Sequence, residues 1–388
     1  MSLAIVNIGD SHSGDRDGTP LRGDALIAED GEVAWIGDSG DLAAGAHEVT
    51  IDAAGAVVIP GLIDSHVHTV FGDWTPRQGM IGFLESYLHG GTTRVISASE
   101  VHVPGRPVDR VGVKALAIAA QRCFSSYHPA GVTVHAGSVI LEPDLVADDF
   151  RELRAAGVWL AKAGFGAFAE PMDYVPVVHA AKEAGLTVMS HTGGGSIPGS
   201  QAKISAEVLL AMRPHIAGHV NGGPTALTSE ENDRLIAEGE GIALQIAHAG
   251  NLRSAIQIVE GALAAGAFER VLIATDTPTG SGVISLGMLR QMAELASLSE
   301  MSARQAVSAA TGNVADVYGL EAGRLEVGRP ADLLVVDSPV GSAATDALAA
   351  LELGDLPAVA VAVTGGTLRF ERSRNTPAPI RPISVKRR

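Results

Sequence analysis

The first sixty residues alternate short apolar runs with turn residues. Ile5–Ile8, Ala25–Ala28 and Val33–Ile36 are separated by Glu29-Asp30-Gly31 and followed by Gly37-Asp38. Runs bounded in this way predict strands, so a small β module opens the chain. From Val57 the pattern changes, and apolar runs alternate with amphipathic stretches. Val57–Ile63 precedes a helix around Met80–His89, and Thr93–Ser97 precedes one around Val113–Phe124. Val132–Ile140 and Val158–Ala161 follow, then a helix around Tyr174–Ala184. The alternation continues through Leu186–Ser190, helix Ala206–Met212, His215–His219, helix Glu230–Ala237, Ile242–Ala247, helix Ser254–Ala264 and Val271–Thr275. Strands spaced by helices predict parallel βα units.

Counted from Val57, the strands fit an α/β fold of the (β/α)8 TIM-barrel type, with an open doubly wound sheet as the rival. Helices Leu289–Leu295 and Arg304–Val317 come next, and strand patterns return at Asp332–Asp337 and Ala358–Val363. Because chain termini commonly lie close together, the returning strands can complete the opening module. The expected organisation is a composite β-sandwich of residues 1–58 and 325–388 around a barrel of residues 59–324.

Composition narrows the partners. The 388 residues carry 28 Lys+Arg against 44 Asp+Glu, a net charge of −16, which disfavours nucleic acid and anionic lipid surfaces. No apolar stretch reaches the ~20 residues of a membrane span. The start, interrupted by Asn7, Asp10, His12 and Asp15, does not read as a signal peptide. The single Cys123 fits a reducing compartment, so a cytoplasmic location is expected.

The chemistry begins at Pro60-Gly61-Leu62-Ile63-Asp64-Ser65-His66-Val67-His68. Strand period puts Asp64, His66 and His68 on one face, so two imidazoles can converge on one ion. Three further candidates fall at the ends of later strands: His191 after Val188-Met189-Ser190, His219 after Ile216-Ala217-Gly218, and Asp276 after Ile273-Ala274-Thr275. Barrel enzymes place catalytic groups at these carboxyl ends. Four histidines and a carboxylate exceed the needs of one tetrahedral zinc, which leaves two ions, or one ion with outer groups. Lys162, ending the fourth strand, is the candidate bridge. A lysine neutralised by burial can take up carbon dioxide as a carbamate, an anionic ligand with two oxygens.

These residues resemble the amidohydrolase superfamily of metal-dependent hydrolases over nearly the whole chain. Pro-Gly-Leu-Ile-Asp-x-His-x-His resembles its first-strand motif, Thr311-Gly312-Asn313-Val314-Ala315 its post-barrel helix, and Gly328-Arg329-Pro330-Ala331-Asp332-Leu333 its return to the sandwich. Longer stretches resemble the enamidase-like cyclic amidases within it: His191-Thr192-Gly193-Gly194, His219 through Pro224, and Pro104-Gly105-Arg106-Pro107. The resemblance implies that His66, His68 and Asp276 hold a buried ion and that His191 and His219 hold a second. Lys162, carboxylated as in many members, would bridge the two. In the enamidase-like branch an acidic residue is expected in the fourth-strand region, so Ala161-Lys162-Ala163 is a departure. Zinc is the default metal, with a zinc–iron pair as the alternative. A homotetramer is implied as well.

The expected reaction is hydrolysis of the C–N bond of a small amide, cyclic and carboxylated in the simplest case. Asp276 would move the proton, and His219 or His248 would donate to the oxyanion. His248 ends the seventh strand, where no metal ligand is expected, and is read as facing substrate. Arg77, His102 and Arg106, in the first two βα loops, are the other candidate substrate contacts. The alternatives are a one-ion deaminase of a nitrogen heterocycle and a scaffold that has lost its site.

Overall fold

The computed structural model describes residues 2–43, 47–69, 77–101, 105–195, 200, 202–222, 226–278 and 284–388, with only the backbone of 77–81. The chain begins with β1 (Ser2–Val6), β2 (Asp10–Ser11), β3 (Ala25–Glu29), β4 (Glu32–Gly37), β5 (Val49–Asp52) and β6 (Val57–Pro60). The barrel strands are β7 (Leu62–Val67), β8 (Thr92–Ser97), β9 (Thr133–His135), β10 (Ser138–Ile140), β11 (Leu160–Ala163), β12 (Thr187–His191), β13 (Ile216–Gly218), β14 (Ala243–Ala247) and β15 (Val271–Ala274). Around them lie α1 (Arg77–His89), α2 (Arg110–Phe124), α3 (Ala147–Ala155), α4 (Tyr174–Glu183), α5 (Ala206–Met212), α6 (Ser229–Glu238), α7 (Leu252–Ala264) and α8 (Gly287–Leu298). The chain closes with α9 (Ala303–Ala309), α10 (Gly312–Tyr318), β16 (Leu333–Asp337), α11 (Ala347–Glu352), β17 (Ala358–Thr364), β18 (Thr367–Phe370) and β19 (Ser384–Arg387). No helix among the described residues is long and apolar enough to cross a membrane.

Two five-stranded sheets, ordered β19-β5-β1-β3-β4 and β18-β17-β16-β6-β2, draw on both ends of the chain. They share a core of Leu3, Ile5, Leu26, Ile51, Val58, Leu333, Val335 and Val361. The barrel has eight strand positions, because β9 and β10 form one interrupted strand: β9 pairs with β8, and β10 with β11. It closes where His68 N donates to Thr277 O and Asp276 N donates to His66 O, both at 2.9 Å.

Three expected elements divide. The apolar run Val57–Ile63 is not one barrel strand, since Val57–Pro60 pair with β16 in the sandwich and the barrel strand starts at Leu62. The passage between the layers therefore falls at Gly61, not at residue 59. A Cβ on Gly61 would lie 2.2 Å from Thr93 Oγ1, so only glycine permits this crossing. Val132–Ile140 breaks at Ala136-Gly137, with Gly137 at φ +96°. The helix expected over Arg304–Val317 stops and restarts around Thr311, whose φ/ψ of −139°/−89° is not helical. Both α3 and α11 lie outside the helices read from periodicity.

Polar groups join the two layers. Arg94 of β8 pairs with Asp332 at 2.7 Å. His12, fully buried, donates from Nε2 to Arg304 O and accepts from Gly14 N at Nδ1, each at 2.9 Å. Burial, helped by the nearby Arg304 charge, disfavours a second ring proton and pushes the pKa down to about 4. The unfolded chain takes up that proton near the ordinary 6.5. This contribution to stability is therefore complete above pH 6.5 and is lost as pH falls towards 4, amounting to ~2 kcal/mol at pH 5. Urea unfolding of wild type and His12→Gln at pH 7.5 and pH 5 checks this, and the variant is expected to lose distinctly less stability between the two.

Candidate active site

Alternation along the barrel strands selects the inward positions. Ile63, Ile96, Leu160, Met189, Ile216, Ala243 and Leu272 pack together in the lower barrel. Two residues further along the same faces stand Lys162, His191 and Gln245, and Asp276 follows Leu272 and Ala274 by the same rule. The first strand breaks it. Asp64 pairs with Val95 and Val67 with Ser97, so three steps on β7 match two on β8. This bulge turns Asp64 away from His66 and His68, against the expectation that all three share a face. Asp64 instead accepts from Thr275 N at 3.0 Å, Thr275 Oγ1 at 2.5 Å and His66 N at 3.2 Å. Burial raises its pKa to about 7.

Inside the barrel, Asp276 Oδ1 lies 3.3 Å from both His66 Nε2 and His68 Nε2. One ligand atom from each of the three residues falls within a 4.8 Å group. Gln245 Oε1 sits 2.5 Å from His66 Nδ1 and accepts its proton, which leaves Nε2 a lone pair aimed at Asp276. His191 Nδ1 lies 2.8 Å from His219 Nε2, and the His219 ring centroid is 5.1 Å from that of His66. Lys162 Nζ reaches to 3.5 Å of His66 Nε2 and 3.3 Å of Met189 Sδ, so the structure brings all six expected ligands to one region. His219 and Asp276 have φ values of 37° and 58°, left-handed conformations that non-glycine residues adopt at a cost of about 1–3 kcal/mol.

Electrostatics suit a cation. Burial pushes the His66 and His191 imidazoles well below their ordinary value and His219 down to about 4, so all three are neutral with lone pairs available. Burial opposes ionisation of Asp276, but His66, His68 and His219 outweigh it and hold the carboxyl well below the usual range. Burial brings Lys162 down to about 8. His191 Nε2 is buried with no hydrogen-bond partner among the described residues. Neutral imidazoles, an ionised carboxylate and an orphaned ring nitrogen fit a divalent ion, and His66, His68 and Asp276 can hold one.

Two expected substrate contacts lie elsewhere. β14 turns Ala243 and Gln245 inward, while Leu244 and Ile246 pack against the helices. His248 continues that outer face, with Nδ1 3.4 Å from Glu294 Oε2 on α8, so it does not face the reacting centre. Arg106, its side chain only 7% exposed, is paired with Glu142 at 2.5 Å. Arg77 is the first residue of α1, and its side chain is outside the described residues, as is His102. Gln245 escaped the sequence reading. Its signal was a polar residue amid the apolar Ala243–Ala247 run, at the strand's inward period.

A parallel barrel gathering histidines, an aspartate and a lysine at its strand ends, joined to a split sandwich, defines the class of metal-dependent barrel hydrolases. The chain belongs to the Amidohydrolase family, whose sequence profile matches residues 57–366. It is 42% identical to an enamidase of Eubacterium barkeri over 387 residues, covering 99% of this chain and 100% of that one. It matches a crystal structure of enamidase, described as a member of the amidohydrolase superfamily, with a TM-score of 0.93 and 41% identity over all of both chains. An imidazolonepropionase of Pseudomonas aeruginosa is 27% identical over 373 residues, covering 81% of this chain and 87% of that one.

Gln245→Leu would leave His66 Nδ1–H without its acceptor and free the ring to rotate. Chelator competition is expected to show affinity for an ion at His66, His68 and Asp276 weakened about 10–100-fold.

Proposed function

We propose that the chain is an enamidase-like amidohydrolase that hydrolyses the C–N bond of a small cyclic amide, using two divalent ions. One observation carries the reading: His66, His68, Lys162, His191, His219 and Asp276 converge in a chain matching an enamidase along its whole length. His66, His68 and Asp276 would hold one ion, His191 and His219 the other, with a carbamate on Lys162 between them. Zinc is the default at both positions, and a zinc–iron pair is the alternative. Such ions would polarise the amide carbonyl and lower the pKa of water towards neutrality.

The protein's own groups do the rest. The ionised Asp276 accepts the proton of the attacking water and delivers it to the departing nitrogen. Of the two imidazoles considered as oxyanion donors, His219 alone lies inside the barrel, beside His66 and His191. Burial favours the neutral Lys162 amine, which is the form that adds to carbon dioxide. A cytoplasmic homotetramer acting on a small molecule completes the proposal, supported by the enamidase likeness and the single cysteine.

Asp276→Asn is expected to abolish turnover on cyclic amides while retaining at least one ion, because the four histidines remain. Elemental analysis beside a lactam and cyclic-imide screen checks it, and wild-type-like turnover would remove Asp276 from the mechanism. Lys162→Ala is expected to lose the second ion, and wild-type assembly is expected to require bicarbonate. An alanine variant with full activity and unchanged metal content refutes the bridge, and a wild type holding one ion per chain favours the deaminase alternative.

A further inference from the structure

One buried ion pair near the site is not used by the proposed chemistry. Glu142, fully buried after β10, accepts from Arg106 Nη2 at 2.5 Å through Oε1 and from Ala167 N at 2.7 Å through Oε2. Arg106 Nη2 also donates to Phe165 O at 2.6 Å, and Nη1 donates to Pro107 O at 2.8 Å. Three βα loops are thereby pinned to one another: the loop after β8, the loop after β10 and the turn after β11. Tyr174 of α4 holds the same turn from outside, its Oη accepting from Gly166 N at 2.7 Å.

That turn lies against a candidate ligand. Gly164, at φ +106°, passes so close to His191 that a Cβ there would sit 2.4 Å from His191 Cβ. Phe165 then sets its ring edge-on to the His191 imidazole, with centroids 4.8 Å apart at 65°. His191 Nδ1 is hydrogen-bonded to His219 Nε2 at 2.8 Å, while Nε2 has no hydrogen-bond partner among the described residues, so the aim of Nε2 is set by that bond together with the packing of Gly164 and Phe165. His66 is oriented by Gln245.

We propose that the Arg106–Glu142 pair is the positioning device for the second ion's site. By fixing the turn from Gly164 to Ala167, it presses Phe165 against His191 and sets the direction of that ligand. A buried ion pair that is also hydrogen-bonded to backbone carbonyls and amides on several loops specifies one geometry more sharply than an apolar contact of the same size. The inference rests on the two-ion reading, and it assigns Arg106 a positioning task in place of a substrate contact.

The experiment uses full-length protein, stripped of metal and reloaded with zinc, and resolves the two affinities by chelator competition. Glu142→Gln and Phe165→Leu are each expected to weaken the ion at His191 and His219 about tenfold or more, with the ion at His66, His68 and Asp276 unchanged within about twofold. Arg106→Lys is expected to retain more of that affinity than Arg106→Met. Equal weakening of both ions overturns the proposal, as does a raised KM with both affinities intact, which would return Arg106 to substrate. If Glu142→Gln fails to fold, Phe165→Leu alone decides between these outcomes. A wild type that binds a single ion refutes the two-ion reading itself. The clamp is then judged from the crystal structure of the Arg106→Met variant, where Phe165 shifted away from His191 upholds it and Phe165 left edge-on overturns it.

Discussion

The site depends on how the last barrel strand closes onto the first. Asp276 N donates to His66 O and His68 N to Thr277 O, so the ligand pair His66–Asp276 is also a backbone pair and His68 is pinned to the residue after Asp276. Asp64 reinforces the seam from the helix side by accepting from Thr275 and from His66 N. Registering two strands separated by some two hundred residues therefore places two imidazoles around one carboxylate oxygen. The bulge in β7 makes this compatible with a Pro-Gly-Leu-Ile-Asp-x-His-x-His run, because it sends Asp64 outward to lock the seam and leaves both histidines facing in.

Burial then decides protonation. In this dry interior the imidazoles lose their affinity for protons and Lys162 approaches neutrality, while Asp276 stays ionised. The result is one carboxylate among several lone pairs, an arrangement that a divalent cation stabilises. Left-handed backbone at His219 and Asp276 indicates that the fold tolerates local strain to aim these two side chains.

Orientation of the ligands is divided between two kinds of support. Gln245 directs His66 by a hydrogen bond from the neighbouring inward position of β14. His191 is hydrogen-bonded to His219 and packed against Phe165 and Gly164, on a turn tied to a buried ion pair between loops. Each half thus has one orienting hydrogen bond, and the second adds a turn packed against its ligand.

Much of this was legible along the chain. Apolar runs at helix-interrupted intervals give the barrel, and residues that end those runs give the ligands, because alternation and chain direction are local properties. Lys162 and His191 were readable for that reason, two residues beyond inward Leu160 and Met189. What escaped depends on pairing between distant segments. Val57–Pro60 and Leu62–Val67 look like one apolar run, yet β16 claims the first part and β8 the second. Asp64 and His248 are both misplaced by simple counting, the former by a bulge that only the partner strand reveals and the latter because Gln245 takes the inward position. Arg106 carries a positive charge at the site's edge, and only the folded chain supplies Glu142 to neutralise it. Period and residue type are properties of a segment, whereas register, facing and charge compensation belong to the pairs that tertiary contact creates.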